Sequence, residues 1–291
     1  MKPGNFEYRV TDSVDEAVSL LAEHGDEAKV IAGGQSLVPL MNLRLARPSV
    51  LVDINPVRSL GAVRRNGDVV IGAMVRHREA ERSTELRSAT PIVCHALSYV
   101  GHPAIRSRGT IGGSVAHSDP AAELPTVLTA LDATVVARSV RGERQILAED
   151  FFTGFLTTSL DADEVVTEIR MADRKAGWGW GFEEFSRRHG DFAVVGVAAM
   201  VAADDRDRVA DARLVFSGVG ATPVRAHEAE EALRGESAGS EAFREALAVA
   251  ARSLDPPDDL HGSAAYRRHL ATVLGERALM AAWERSSGKD R

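Results

Sequence analysis

A chain of 291 residues, 44% hydrophobic and 26% charged, suits a globular protein of two modest domains or one large one. Its formal charge of −7 argues against nucleic acid or an anionic membrane as partner, and neither a bilayer-length apolar run nor a signal-peptide core is present, so a cytoplasmic location is expected. The single cysteine, Cys94, excludes an internal disulfide and any iron–sulfur cluster held by this chain alone, since such clusters take about four thiolates.

In chain order, Phe6–Val10 reads as a short strand. Asp15–His24 has helical spacing at Ala17, Val18, Leu20 and Leu21, with Gly25 as its C-cap. Lys29–Ala32 is a short strand that runs into Gly33-Gly34. Ser36 stands where an N-cap hydroxyl is expected, before Leu37, Leu40, Met41 and Leu43, and Pro48 ends that helix. Val50–Ile54 is a buried strand, and the β-α-β order predicts a small α/β lobe ending near Asn55.

Val69–Ala73 is the next strand, followed by Arg76-His77. Thr90-Pro91 supplies an N-cap and first-turn proline for a helix over Ile92–Val100, where Cys94 reads as a small core residue. His102–Arg108 is a basic approach to a second double glycine, Gly112-Gly113. A helix over Ala121–Leu131, a strand over Thr134–Ser139, the Phe151–Gly154 segment and a strand over Val165–Met171 complete a second lobe.

Ala172–Gly177 is small and polar, a natural boundary. Beyond it, Trp178–Ser186, Phe192–Ala202 and Val209–Phe216 read as an antiparallel meander. Helices follow over Pro223–Leu233, closed by Gly235, then from Ser240 to about Leu254 and over Ala264–Trp283, before a short tail expected to fray.

Two stretches carry chemistry. Val30–Ser36 reads VIAGGQS, and Gly109–Pro125 reads GTIGGSVAHSDPAAELP. A glycine has no Cβ, so a ligand can lie against the peptide N–H groups, and rows of such groups form anion-binding nests. Two strand-Gly-Gly-Ser turns with matched flanks point to one large ligand with two phosphates, gripped from both sides. Ser217–Pro223 lacks the third glycine of a dinucleotide fingerprint and reads as a strand-turn-helix joint. The nine histidines show no ligand spacing, so no metal site is expected. No acid–base pair stands out, and no catalytic residue is nominated.

Taken together these residues resemble the FAD-binding medium subunit of molybdenum-containing hydroxylases, the carbon monoxide dehydrogenase and xanthine dehydrogenase group. The resemblance rests on Ala32-Gly33-Gly34-Gln35-Ser36, on Thr110-Ile111-Gly112-Gly113-Ser114, on the run Ala116–Pro125 and on Ser186–Ala193. It covers nearly the whole chain. Members whose flavin subunit holds its own cluster are excluded as models by the single cysteine.

The resemblance implies an α+β fold: a two-lobe FAD-binding domain of the vanillyl-alcohol oxidase-like (PCMH-type) superfamily, shared with cell-wall reductase-like flavoproteins. That domain spans 1–172, with lobes of about 1–55 and 56–172, and 173–291 form a C-terminal domain with a three-stranded antiparallel sheet. It implies one non-covalent FAD on Ala32, Gly33, Gly34, Gln35, Ser36 and Leu37 of the first turn and Thr110, Ile111, Gly112, Gly113 and Ser114 of the second. Ser114 stands where many members have Asn, and both offer a polar hydrogen bond.

Glu123 matches a family acid on the flavin side, with a helix first-turn acid as the simpler reading; Asp119 reads as the cap of that helix. His77 and Leu160 match positions near the flavin ring, against a surface histidine and a core leucine, and Phe192 matches the side chain set against the ring. His102, Arg106 and Arg108 either balance phosphate, or are solvated, or face a partner, and the sequence does not choose. The implied partners are a small subunit with two 2Fe–2S clusters and a molybdenum-cofactor large subunit, with this chain passing electrons to an external acceptor. A self-contained FAD oxidase or reductase of the same superfamily is the alternative.

Overall fold

The computed structural model describes residues 2–173 and 177–286. The chain opens with β1 (Glu7–Val10), α1 (Val14–His24), β2 (Ala28–Ile31), α2 (Leu37–Asn42) and β3 (Val50–Asp53). β3 lies between β1 and β2 and runs parallel to both. Parallel neighbours need crossovers, which the two helices supply. The Ser13 hydroxyl accepts the Glu16 N–H to cap α1, and Gly25 ends it at φ 53° with its N–H on the Leu21 carbonyl. Ala17, Val18 and Leu21 of α1 pack on Val50, Val52 and Ile54 to make this lobe's own core.

The second helix departs from expectation. Ser36 is already helical, at φ −104° and ψ −48°, and its hydroxyl caps nothing. The helix stops at Asn42 because Arg44 turns left-handed at φ 60°, and the N–H groups of Leu45 and Ala46 both return to the Leu40 carbonyl. Leu43 and Leu45 are thereby left exposed.

The second lobe comprises β4 (Val63–Asn66), β5 (Asp68–Gly72), α3 (His77–Arg82), α4 (Thr84–Ala89), α5 (Pro91–Leu97), α6 (Pro103–Arg106), α7 (Ile111–His117), α8 (Glu123–Ala130), β6 (Thr134–Ser139), β7 (Gly142–Leu147), α9 (Ala148–Phe151), β8 (Phe152–Gly154), β9 (Thr157–Thr158) and β10 (Val165–Ala172). Its five-stranded antiparallel sheet has the order β4-β5-β10-β6-β7, and β8 pairs with β9 beside it. Pro91 takes the first turn of α5 as expected, while Thr90 makes no side-chain cap. α8 starts at Glu123, later than expected, because Asp119 accepts the Ala121 N–H at 2.9 Å and so caps the preceding turn rather than the helix.

The meander is β11 (Trp178–Ser186), β12 (Ala193–Ala203) and β13 (Val209–Ser217). A fourth, two-residue strand, β14 (Val224–Arg225), extends the expected three. Pro223 therefore does not begin a helix: Val224 pairs with Phe216, and α10 (His227–Leu233) starts only after Arg225 has paired with Val215. α11 (Ser240–Ser253) and α12 (Ala264–Ser286) follow.

Both faces of this sheet are covered, which explains the unbroken apolar run AVVGVAAMVAA of β12. Val195, Val197, Ala199 and Val201 face a core shared with α10, α11 and α12. Ala198 and Met200, with Phe182 and Val215, face a second core that runs through Leu124, Val127 and Leu128 of α8 to Val69, Ile71 and Ile169 of the five-stranded sheet. The expected boundary at 172–177 and the tail after Ser286 fall largely outside the described residues.

Candidate functional site

The first glycine turn links β2 to α2. Gly34 sits at φ 69°, a region open to glycine at little cost, and the Gln35 side chain donates to the Gly33 carbonyl at 2.9 Å. Among the described residues, the N–H groups of Gly33, Gly34, Gln35, Ser36 and Leu37 find no acceptor in the protein. Five consecutive free donors at a helix entrance make a concave anion site.

The second glycine pair is built differently, and the expectation of a second open nest is corrected. Thr110 is extended, at φ −121° and ψ 153°, and caps α7, so Gly112 and Gly113 lie inside a helix. The Ile111 N–H donates to the Val75 carbonyl at 3.0 Å and the Gly112 N–H to the Ala73 carbonyl at 2.8 Å. The Gly113 N–H reaches Thr110 Oγ1 at 3.1 Å, and the Ser114 N–H the Thr110 carbonyl at 3.0 Å. Gly112 is bare because β5's exit lies against it: a Cβ there would stand 2.5 Å from the Ala73 Cβ. Gly113 is exposed and Ser114 half-buried on the outer side of α7.

The two motifs nonetheless meet. A Cβ on Gly33 would stand 2.4 Å from the Arg108 carbonyl oxygen and 2.8 Å from Gly109 Cα, so the turns touch through backbone. Two residues that sequence reasoning passed over stitch them together. Asn55 donates to the Ala32 carbonyl at 2.8 Å and accepts from Arg76 at 2.6 Å. Arg76 also donates to the Arg108 carbonyl. Neither residue belongs to a recognisable motif, and only the fold puts them side by side.

His77 is not a surface histidine. It is 4% exposed beneath the second loop, and its Nε2–H donates to the Thr110 carbonyl at 2.9 Å. Burial, reinforced by the charges of Arg106 and Arg76, pulls its pKa down to about 4, so the ring is neutral. Its role is to hold the Gly109–Thr110 backbone from behind. Arg106 is also committed, to Glu81 at 3.0 Å and to the carbonyls of Val100 and Gly101 at 3.1 Å each. Arg108 is exposed, and the exposed His102 lies against Gly190 of the turn before β12.

Glu123 begins α8 and is 9% exposed; burial pushes its carboxyl up to about 7 against the opposing charge of Arg106. Leu160 packs half-buried on the second lobe's core. Phe192 is 72% exposed just ahead of β12, so it is not a core residue of that strand. The structure brings the open anion nest against the second glycine loop, while Glu123 stands apart as a buried acid and Phe192 as an exposed aromatic ring; a row of free N–H donors suits a phosphorylated cofactor.

A family model described as the FAD binding domain in molybdopterin dehydrogenase matches residues 4–171. A second, described as the CO dehydrogenase flavoprotein C-terminal domain, matches residues 180–282. The chain is 44% identical to the 6-hydroxypseudooxynicotine dehydrogenase complex subunit alpha of Paenarthrobacter nicotinovorans, over 98% of this chain and 97% of that one. It is 37% identical to the carbon monoxide dehydrogenase medium chain of Hydrogenophaga pseudoflava, over 98% and 99% of the two chains. A solved carbon monoxide dehydrogenase structure from Hydrogenophaga pseudoflava superposes with a TM-score of 0.95 at 38% identity, covering 98% of this chain and 99% of that one.

Proposed function

The chain belongs to the family of FAD-binding flavoprotein subunits of molybdopterin-type dehydrogenases, and on that premise we propose that it takes electrons from the 2Fe–2S clusters of a partner subunit and passes them, in pairs, to an external acceptor. A molybdenum-cofactor subunit oxidises the substrate in this reading, so the substrate site lies on another chain. The domain division is placed at residues 172 and 173.

The observation that carries the reading is the row of free N–H groups from Gly33 to Leu37, pressed against the second glycine loop. FAD, when bound, supplies the two-electron chemistry of its isoalloxazine. The protein's share is to bind, orient and exclude water. In this proposal Ala32–Leu37 take the pyrophosphate, and Thr110, Gly113 and Ser114 close on it from the outer side of α7. Ile111 and Gly112 support that loop from its buried side, and His77 holds it in place. Glu123 positions the cofactor from the start of α8, Leu160 lines the pocket, and Phe192 lies against the ring. Attachment is non-covalent in this reading.

The test is to purify the full chain and measure flavin released by acid. One FAD per chain is expected, and carbon monoxide, purines or aldehydes should not reduce it until molybdenum and iron–sulfur subunits are added. Turnover by the chain alone at a rate typical of enzymes, on the order of 10 per second, would replace the subunit reading with a self-contained oxidase.

A further inference from the structure

β3 ends in a buried acid, Asp53, which is 7% exposed. Its Oδ1 accepts the Asn55 backbone N–H at 2.8 Å and the Asn55 side-chain N–H at 2.5 Å, and its Oδ2 accepts the Tyr8 hydroxyl of β1. A buried carboxylate is costly unless its oxygens are matched, and both of these are. The hydrogen bond to Asp53, with burial and the Asp53 charge, pushes the Tyr8 hydroxyl above its ordinary value, so it stays a donor. The Asp53 carbonyl separately accepts the Thr11 N–H at 3.0 Å and the Thr11 hydroxyl at 3.1 Å, bonds that any residue at this position keeps.

Asn55 is exposed, yet its amide is fully committed. Besides Asp53, its Nδ2 donates to the Ala32 carbonyl at 2.8 Å, and its Oδ1 accepts from Arg76 at 2.6 Å. These neighbours fix which end of the amide is which, because a carboxylate and a carbonyl only accept and a guanidinium only donates. Ala32 opens the first glycine turn. Arg76 also donates to the Arg108 carbonyl, and its backbone bridges to Thr110 of the second loop. That Arg108 carbonyl is the atom against which Gly33 lies. One exposed amide thus stands between the two turns, and without a second grip it would exchange rotamers in water. Asp53 supplies that grip from two residues back along the chain.

We propose that Asp53 is a positioning residue of the FAD site: it clamps the Asn55 amide in the one orientation that ties Ala32 to Arg76 and, through Arg76, to Arg108, while Tyr8 braces it from β1. Asp53 does not touch the cofactor in this proposal and acts only through Asn55. The inference rests on FAD lying between the two glycine turns, as proposed above. Pre-setting the amide keeps the turns at a fixed spacing before the cofactor arrives, so binding need not order them.

The experiment is a double-mutant cycle read by FAD titration of the apo full chain, with circular dichroism on every variant. Asp53→Ala should weaken FAD binding about tenfold. In an Asn55→Ala background the same change should cost less than about twofold, because the group it acts through is gone. Asp53→Asn can turn its amide oxygen to Asn55 and its N–H to the Tyr8 oxygen, so it should bind FAD within about threefold of wild type. A residue that only supports the fold would cost the same factor with and without the Asn55 amide. Equal losses in the two backgrounds, wild-type affinity in Asp53→Ala, or Asp53→Asn binding as weakly as Asp53→Ala overturns the proposal. Should Asp53→Ala not fold, NMR of the wild-type chain with nitrogen-labelled asparagine decides. The chain has four asparagines, and the Asn55 side-chain signals are assigned by their loss in Asn55→Ala. Both Asn55 amide protons should exchange slowly with water, and exchange as fast as that of a free amide overturns the clamp. Absence of FAD binding by wild type overturns the parent reading instead.

Discussion

A methyl group on Gly33 has nowhere to go. Its carbon would sit 2.4 Å from the Arg108 carbonyl oxygen, a backbone atom that cannot swing aside as a side chain can. Gly33→Ala must therefore part the two loops, at a strain of about 1–3 kcal/mol. Because the loops hold the cofactor between them, affinity for FAD should fall by about tenfold or more. Flavin content after gel filtration checks this, with circular dichroism to confirm the fold. Full occupancy would mean that the contact between the loops is not what shapes the site. Gly112 is a contrasting case: its missing Cβ makes room for Ala73 of the protein, so its replacement threatens folding before it threatens binding.

At the level of elements, the first lobe meets the second loop through the Gly33 backbone contact and the Asn55–Arg76 pair. The Asn55 side chain takes one hydrogen bond from Arg76 and gives one to the Ala32 carbonyl and one to Asp53 Oδ1. Asn55→Ala should cost about 1 kcal/mol in urea unfolding, the usual net worth of a partly exposed hydrogen bond. The larger effect is expected in FAD affinity, because the first turn is then free to drift from Arg108. A variant that lost stability but bound FAD as wild type does would assign Asn55 to the lobe and not to the site. The double-glycine motifs were legible in the sequence, since each is written in adjacent residues. Asn55 and Arg76 were not: each is an ordinary polar side chain until β3 and the exit of β5 come together.

At the level of the molecule, β11 sets the partly buried Glu184 beside Phe182, which belongs to the core that runs from the five-stranded sheet through α8 to β12. Glu184 ionises near 4.5 as an ordinary glutamate and at about 9 in the fold. The folded chain then holds this proton more tightly than the unfolded one. Its contribution is complete below about 4.5 and is lost progressively as pH rises to about 9, by at most about 1.4 kcal/mol per pH unit. Thermal melts of the apo chain should show wild type losing stability relative to Glu184→Gln across that window. Glu164 and Asp211, whose carboxyls are held low by their arginine partners, act in the opposite sense on acidification, but equally in both proteins. Parallel melting curves would show that Glu184 ionises freely in the fold.

Sequence alone determined the order of most of the longer elements, the family and the cofactor class. Caps, glycine pairs and apolar alternation are local signals, and a few adjacent residues are enough to state them. The meander over Trp178–Ser217 could be read this way because β11 alternates large and small residues and β12 is one unbroken apolar run between polar turns. Tertiary structure decided which donors are free. The N–H groups at Ile111 and Gly112 look as available as those at Gly33 and Gly34 until Val75 and Ala73 arrive to accept them. It likewise decided that Arg106 serves Glu81, that Phe192 stands exposed, and that a Glu184 oxygen is buried unmatched. The reason is that a hydrogen bond or a charge depends on what lies within a few ångströms, and here the deciding neighbours come from other strands and helices.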